Sequence, residues 1–383
     1  MKIAQQPPLS LYVHIPWCLK KCPYCDFNSH EKRGELPEDE YVNALAADLE
    51  RSLVNVWGRR IHTIFIGGGT PSLFSPAAID RLLTSVRTLM PVDPETEITL
   101  EANPGTMEAV RFQGFRDAGV NRLSLGIQSF DDAKLKSLGR IHGAAEARAA
   151  AELAAQTFSS FNLDLMYGLL GQSVEQALDD VDIALGFKPF HLSCYHLTLE
   201  PNTPFGHTPP ANLPDEDEAF TMQEGIEARL ESAGFEHYET SAFALRDHRC
   251  RHNLNYWQFG DYLGIGAGAH SKLSFHDRIV RQMRVKHPRQ YLEAVALGRH
   301  VAEDKSVETG ELPFEFMMNA LRLSGGVEMA LFSERTGLPL NVLLKPLAQA
   351  EARSLVRRTP LRLEPTLAGQ RFLNDLLTLF MAG

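Results

Sequence analysis

The sequence is short of cysteine, of basic charge and of long apolar runs, and each shortage removes a class of protein. Only five of its 383 residues are cysteine, and Cys18, Cys22 and Cys25 fall within eight positions. A secreted disulfide scaffold spreads its cysteines along the chain, so this clustering indicates a metal or cluster site in a reducing compartment. Lys and Arg number 38 against 48 Asp and Glu, a net charge of −10. A nucleic-acid surface shows as a basic excess, which excludes nucleic acid as the main partner. No apolar run approaches the roughly 20 residues of a membrane span. The opening MKIAQQPPLS has neither the charged start nor the apolar centre of a signal peptide. No transmembrane segment is expected, and the expected location is the cytoplasm. What remains is a composition ordinary for a globular enzyme, at a length suited to one large domain with appendages.

Short β-rich runs alternate with longer helical patterns through the first 234 residues. The candidate strands are Leu9–Pro16, Thr63–Gly69, Glu97–Pro104, Arg122–Ser129, Phe161–Gly168 and His191–Pro201. This alternation predicts an α/β fold with a parallel sheet under covering helices. Six units are two short of a closed eight-stranded barrel, so a partial (β/α)6 barrel is expected. His14, Gly67 to Thr70, Glu101, Gln128, Asp164, Tyr195 and His196 all lie at the C-terminal ends of their strands, where barrel enzymes build their sites. Residues 235–304 lose the repeat and are expected as an accessory layer against the barrel. Residues 305–383 carry helical runs and the hairpin pattern SLVRRTPLRLEP, the outline of a small winged-helix-like domain. With nine Lys and Arg against eight Asp and Glu, that domain lacks the charge of a DNA-binding wing.

Directly after the first strand, WCLKKCPYC places three thiols in a C-x3-C-x2-C spacing. Thiolates suit zinc or iron–sulfur clusters. Zinc needs a fourth ligand, for which His14 and His30 are candidates, but no second cysteine pair follows. A plain electron-transfer cluster takes four cysteines, and Cys194 and Cys250 stand alone, as ordinary buried thiols do. A 4Fe–4S cluster on three thiolates leaves one iron open to a ligand. Three consecutive glycines, Gly67 to Gly69, let the backbone approach a ligand and present its amides. Glu101 could neutralise an ammonium group or hold a ribose.

C-x3-C-x-aromatic-C after a first strand and GGGTP after a second resemble the radical S-adenosylmethionine superfamily. The resemblance implies that S-adenosylmethionine binds the open iron of a cluster held by Cys18, Cys22 and Cys25. Nearly the whole chain is similar to the coproporphyrinogen dehydrogenase-like branch of that superfamily. Carried onto this sequence, the branch assigns Tyr12, Tyr24, Gly68, Gly69, Thr70, Glu101, Gln128, Arg140 and Asp164 to S-adenosylmethionine. It also places His270, in GAHS, near the adenosyl pocket. The branch's usual MYGLPGQ reads MYGLLGQ here, with Leu170 in place of proline, which implies a local change of turn.

Members of this branch are of two kinds, an oxygen-independent coproporphyrinogen III oxidase and a heme-binding chaperone. The oxidase has a further cysteine two residues after the third ligand, where this chain has Phe27, and a long N-terminal extension. The segment RCRHNLNYWQFGDYLGIGAGAHS matches the chaperone pattern. The expected function is therefore a heme chaperone without oxidase activity; the oxidase is the alternative. Neutral imidazole is a common heme ligand, so His252 is the expected heme contact, with Tyr256 and Trp257 against the porphyrin and Cys250 as a second candidate ligand. The bland reading of His252 is a hydrogen-bonded anchor for its segment. Heme and heme-accepting proteins are the expected partners, and a homodimer is among the expected assemblies.

Overall fold

A computed structural model describes residues 2–105 and 109–381; Met1 and Gly383, the outer ends of the first and third regions, lie outside them. The six expected strands form as β1 Leu9–Ile15, β2 Ile61–Gly68, β3 Val92–Ala102, β4 Arg122–Gln128, β5 Phe161–Tyr167 and β6 His191–His196. Each lies parallel to the one before it. Both faces of β1 are covered, and only Tyr12 escapes full burial. That is how a parallel strand is placed, between helices on one side and the barrel interior on the other. The sixth strand ends at His196 rather than Pro201, its last ladder bond running from the Leu197 N–H to the Tyr167 carbonyl at 3.0 Å.

The covering helices start where the sequence marks them. Ser75 caps Pro76–Leu89 by accepting from the Ala78 N–H, with proline at the first helical position. Ser173 and Gln176 close a reciprocal capping box on Val174–Gly186. The long helix Glu38–Val56 begins with three acidic residues and turns Tyr41, Leu45 and Leu49 onto the sheet. Each fully buried leucine there contributes about 1.5–3 kcal/mol.

Residues 235–304, expected as a layer against the barrel, instead extend its sheet. Beyond β6 lies the antiparallel hairpin β7 Glu236–Glu239 and β8 Ala242–Ala244. On the other side, β9 Asp261–Ile265 pairs in parallel with β1. The antiparallel β10 His270–Ser274, β11 Ile279–Arg284 and β12 Val301–Ser306 follow outward. The 12-stranded order is β12-β11-β10-β9-β1-β2-β3-β4-β5-β6-β8-β7, a partial barrel with a wing at each edge. A parallel strand needs a crossover, and the helix Arg251–Trp257 lies within the connection from β8 to β9.

The C-terminal region holds the helices Leu312–Ala320, Met329–Thr336 and Leu344–Ala352. Its hairpin, Val356–Arg358 with Arg362–Pro365, gains a third strand from Val327–Glu328. Two short helices follow, Leu367–Arg371 and Leu373–Thr378, broken at Phe372. Its core centres on Phe316 and Phe332, edge to face at 5.3 Å, and includes Ile3, Phe259 and Ile279 from the barrel body. Among the described residues no helix is long and apolar enough to cross a membrane.

Candidate functional site

Alternation along a strand sends every second side chain to one face, and in a barrel that face is the interior. Here it is polar. Near the N-terminal ends, Thr63 donates to Ser10 at 2.7 Å, and Asn162 bonds Ser124 and His191. Higher up, Tyr12 stacks on Phe65, and Asp164 accepts from Ser124 and Asn162. At the C-terminal ends stand His14, Glu101 and the glycine stretch.

Glu101 is enclosed, and its Oε2 accepts the Gly68 N–H at 3.0 Å. Burial, with Asp164 nearby, pushes its pKa up to about 8. Asp164 is raised too, by burial first. Two carboxyl groups held this way favour a cationic ligand, whose charge would relieve both. Gln128 takes a left-handed backbone conformation, φ 69°, at the register shift between β4 and β5. Strain of that kind at a strand end re-aims a side chain and clusters at binding sites.

The amides of the glycine stretch were expected to face a ligand, but they are spent inside the protein. Gly68 donates to Glu101, Gly69 to the Ile15 carbonyl and Thr70 to the Trp17 carbonyl. Carbonyl oxygens, like the Glu101 carboxylate, suit an ammonium group.

The cysteine loop is clamped at its base. Trp17–Cys18 bridges His30–Glu31 in parallel, and His14 Nε2 donates to the Asn28 carbonyl at 2.9 Å. Asn28 Nδ2 ties the loop to the carbonyls of Ala267 and Lys286. Within it, Thr70 and Ser29 contact Cys18, and Ser29 also contacts Cys25. Arg140 reaches Cys22 Sγ at 3.7 Å and Asn103 at 2.6 Å; its buried Nε has no partner. Tyr24 lies against Cys22 and Arg140. The structure thus brings Cys18, Cys22 and Cys25 together with Tyr24, Thr70 and Arg140 at one rim. Tyr12, Glu101 and Asp164 stand beside and beneath it.

Three thiols on one loop are a donor set that fits a 4Fe–4S cluster. Among the described residues no three His, Cys, Asp or Glu side chains form a group that could hold one ion. A cluster distributes its thiolates over separate irons. Of the two candidates for a zinc's fourth ligand, His14 has both ring nitrogens engaged, with Tyr12 and with Asn28, and His30 Nε2 meets Asn28 Oδ1 at 3.3 Å. Cys194 and Cys250 are buried, with their thiols pushed up to about 12 by burial, and neither joins the site. Lys134 Nζ donates to the carbonyls of Leu170 and Gly171, which holds the turn where proline was expected.

His252, expected as a heme ligand, lies in the barrel interior on Arg251–Trp257. Its Nδ1 meets Thr63 Oγ1 at 2.8 Å and its Nε2 the Tyr256 hydroxyl at 3.3 Å. The ring is buried against Phe65, and burial lowers its pKa to about 3. Both ring nitrogens thus have partners within the fold, and the ring anchors its helix in the barrel. Tyr256 packs edge-on against Tyr262 at 4.4 Å, and Trp257 is covered by the Arg322 guanidinium at 4.4 Å. Cys250 is equally enclosed. The sequence reading missed Asn28 and Asn103. Asn103, two residues past Glu101 in EANPG, had a local signal; Asn28 had none, because the carbonyls its Nδ2 ties to are more than 200 residues away.

A cleft of about 510 Å³ opens elsewhere, between residues 4–9, Arg59, Arg60, His62, Glu334 and Arg335. Its cations are largely engaged: Arg59 bonds Asp261 and the Pro7 carbonyl, and Arg60 and His62 meet Asp93.

Comparisons with known proteins agree with this geometry. Residues 12–184 match the family model of the radical SAM superfamily, and residues 309–372 that of the HemN C-terminal domain. A protein of Escherichia coli (strain K12) named heme chaperone HemW is 50% identical over 98% of this chain and 99% of its own length. The protein of the same name from Haemophilus influenzae is 48% identical over 98% of each chain. That from Bacillus subtilis is 35% identical over 89% of this chain and 91% of its own. Among solved structures, coproporphyrinogen III oxidase (HemN) of Escherichia coli superposes with a TM-score of 0.83 over 98% of this chain and 90% of its own, at 24% identity. That likeness is one of fold. By its cysteine loop, its partial barrel and its full-length relatives, the chain belongs to the HemW family of the radical S-adenosylmethionine superfamily.

Proposed function

We propose that the protein is a cytoplasmic heme chaperone, which binds heme and passes it to acceptor proteins. In this reading Cys18, Cys22 and Cys25 hold a 4Fe–4S cluster with one iron open to exchangeable S-adenosylmethionine. A homodimer is the proposed assembly. The proposed layout is a barrel unit over 1–234, a heme-associated segment over 235–304 and a C-terminal unit over 305–383.

Such a cluster supplies an electron and an open coordination site; the chain's own residues do the rest. Glu101 and the carbonyls of the Gly67–Gly69 stretch receive the ammonium group of S-adenosylmethionine. Thr70, Tyr24 and Arg140 hold the cysteine loop and its ligand in place. Tyr12, Gln128 and Asp164 line the space beneath, where Asp164 faces polar groups of the ligand. His14 and Asn28 pin the loop so that the three thiols keep one arrangement.

The single observation that supports the chaperone over the oxidase is the match to HemW proteins at 50% identity, spanning 98% of this chain. Exposed Phe27, 59% accessible, stands where the oxidase has its further cysteine, in keeping with that reading. The test is anaerobic reconstitution with iron and sulfide, then hemin titration and transfer to apomyoglobin. Saturable hemin binding, hemin transfer and no conversion of coproporphyrinogen III are expected. Robust conversion with S-adenosylmethionine present would establish the oxidase instead.

A further inference from the structure

We propose that the cleft at the foot of the barrel binds a small anion carrying a phosphate or carboxylate group, held chiefly by Arg335. The cleft, of about 510 Å³, lies at the N-terminal ends of β1 and β2, the opposite end of the barrel from the cysteine loop. Small-molecule sites have volumes of that order. One wall is the segment 4–9 with Arg59, Arg60 and His62. The other is the end of the helix Met329–Thr336, with Glu334 and Arg335. The site therefore lies on the seam between the barrel and the C-terminal region, and it involves neither the cluster nor heme.

The charges that line this cleft, or pair with its walls, do not balance. Asp261 is fully buried and serves two cations, Arg59 at 2.8 Å and Lys272 at 3.1 Å. Asp93 serves Arg60 at 2.7 Å and His62 at 3.2 Å. Arg335 has no hydrogen bond or ion pair among the described residues, and its buried Nε has no partner. Glu334 beside it is exposed and attracts it only from beyond ion-pair distance. Four cations (Arg59, Arg60, Lys272 and Arg335) thus stand against three carboxylates, before any charge on His62. The crowding shows at Lys272: burial pulls its pKa down, Asp261 raises it, and Arg281 and Arg335 lower it again, to about 8. One anion at Arg335 would relieve both cations. A buried polar atom without a protein partner calls for one, and an arginine fork takes the paired oxygens of a carboxylate or phosphate. The N–H groups of Ala4, Gln5 and Gln6 donate to no protein acceptor among the described residues, so the facing wall adds donors. An anion held here bridges Arg335 of the C-terminal region to the arginines of the barrel foot.

The test is calorimetric titration of the reconstituted, desalted full-length protein in chloride buffer. The probes are inorganic phosphate, pyrophosphate and citrate at matched ionic strength. Saturable binding of at least one is expected, with a raised melting temperature; preference for the phosphates or for citrate assigns the group. Arg335→Gln is expected to weaken that binding by about tenfold or more. Arg335→Lys, which keeps the charge and loses the fork, should fall between the two. Arg353→Gln, at an exposed arginine of the same region outside the cleft, should change nothing. Because Arg335 holds no protein partner, Arg335→Gln should melt at or above the parent in chloride alone, which separates lost binding from lost fold. Equal affinity in the parent and in Arg335→Gln overturns the site, as does the absence of saturable binding of all three probes at millimolar concentration. Neither result touches the heme-carrier reading, which uses the other end of the barrel.

Discussion

A methyl group added at Gly69 would lie 2.5 Å from the Trp17 carbonyl oxygen and 2.8 Å from its carbon. Those atoms are backbone, clamped by the bridge from Trp17–Cys18 to His30–Glu31, and cannot move aside as a side chain would. Gly69→Ala should therefore destabilise the protein by about 1–3 kcal/mol in urea melts and release iron from the reconstituted cluster. Gly186 is the contrast: nothing lies within 4 Å of its would-be Cβ, and alanine there should stabilise by up to about 1 kcal/mol. Glu101 gives a prediction in pH. Its folded pKa of about 8 lies above the usual 4.5 of a glutamate, so the folded state holds its proton more tightly than the unfolded chain. The associated stability is complete below the unfolded value, falls as pH rises, and is gone above about 8. Ligand-free protein should lose melting temperature between pH 5 and pH 9 (roughly the window between those two values), and Glu101→Gln should flatten that loss. An unchanged slope in the variant would assign the dependence to another group.

At the scale of elements, two buried polar assemblies lock parts that the hydrophobic pattern alone leaves loose. The helix Arg251–Trp257 is held in the barrel by His252 on Thr63, by Asn255 on Ser10 and by the Glu97 carboxylate on its first backbone N–H groups. A carboxylate at that end also complements the helix dipole. His252→Ala should cost about 1–3 kcal/mol in urea melts, because it strands buried polar partners. The second assembly centres on Asp48 of the helix Glu38–Val56, which accepts from Arg284, Tyr291 and the Gly266 N–H and meets His300 at 3.1 Å. It joins that helix to β11 and to the turn before β10. Burial pushes the Asp48 pKa up, but His300 and Arg284 outweigh it and leave it below the usual value. That stability is present above the unfolded pKa and is lost as pH falls below it. Asp48→Asn leaves Arg284 buried without its counter-charge and should cost about 3–5 kcal/mol. Acid titration of the variant should show a shallower loss of stability than the parent.

At the scale of the whole molecule, the C-terminal region and the barrel share one boundary layer. Ile3, Phe259 and Ile279 are buried in the C-terminal cluster with Phe316 and Phe332, and the Lys2 N–H donates to the Gly337 carbonyl. Removing residues 305–383 would expose that layer, and an apolar patch of such a size drives association. The truncated chain should aggregate on purification, while the full chain should unfold in one cooperative transition by calorimetry. Two separated transitions, or a monomeric truncated chain, would contradict the shared layer.

The strands and the cysteine loop were legible in sequence because their signals are local. Period-two and β-branched runs mark each parallel strand, and C-x3-C-x2-C needs only eight residues to bring three thiols to one loop. The polar residues at strand ends were legible for the same reason, since strand direction places them at one mouth. Local pattern could not reveal which nitrogen is already bonded. His252 in HNLNYW read as a free ligand, yet Thr63, 189 positions earlier, occupies its Nδ1. The amides of the glycine stretch are likewise consumed by Ile15, Trp17 and Glu101, partners that pairing of β1, β2 and β3 brings into place. Nor could pattern place β9 beside β1, because a parallel neighbour is chosen by the crossover and not by the strand's own residues. By itself the sequence determined the elements and the donor set of the loop, which depend on near neighbours. The tertiary structure alone decided which donors and lone pairs remain unspent, because hydrogen bonds between distant segments settle that.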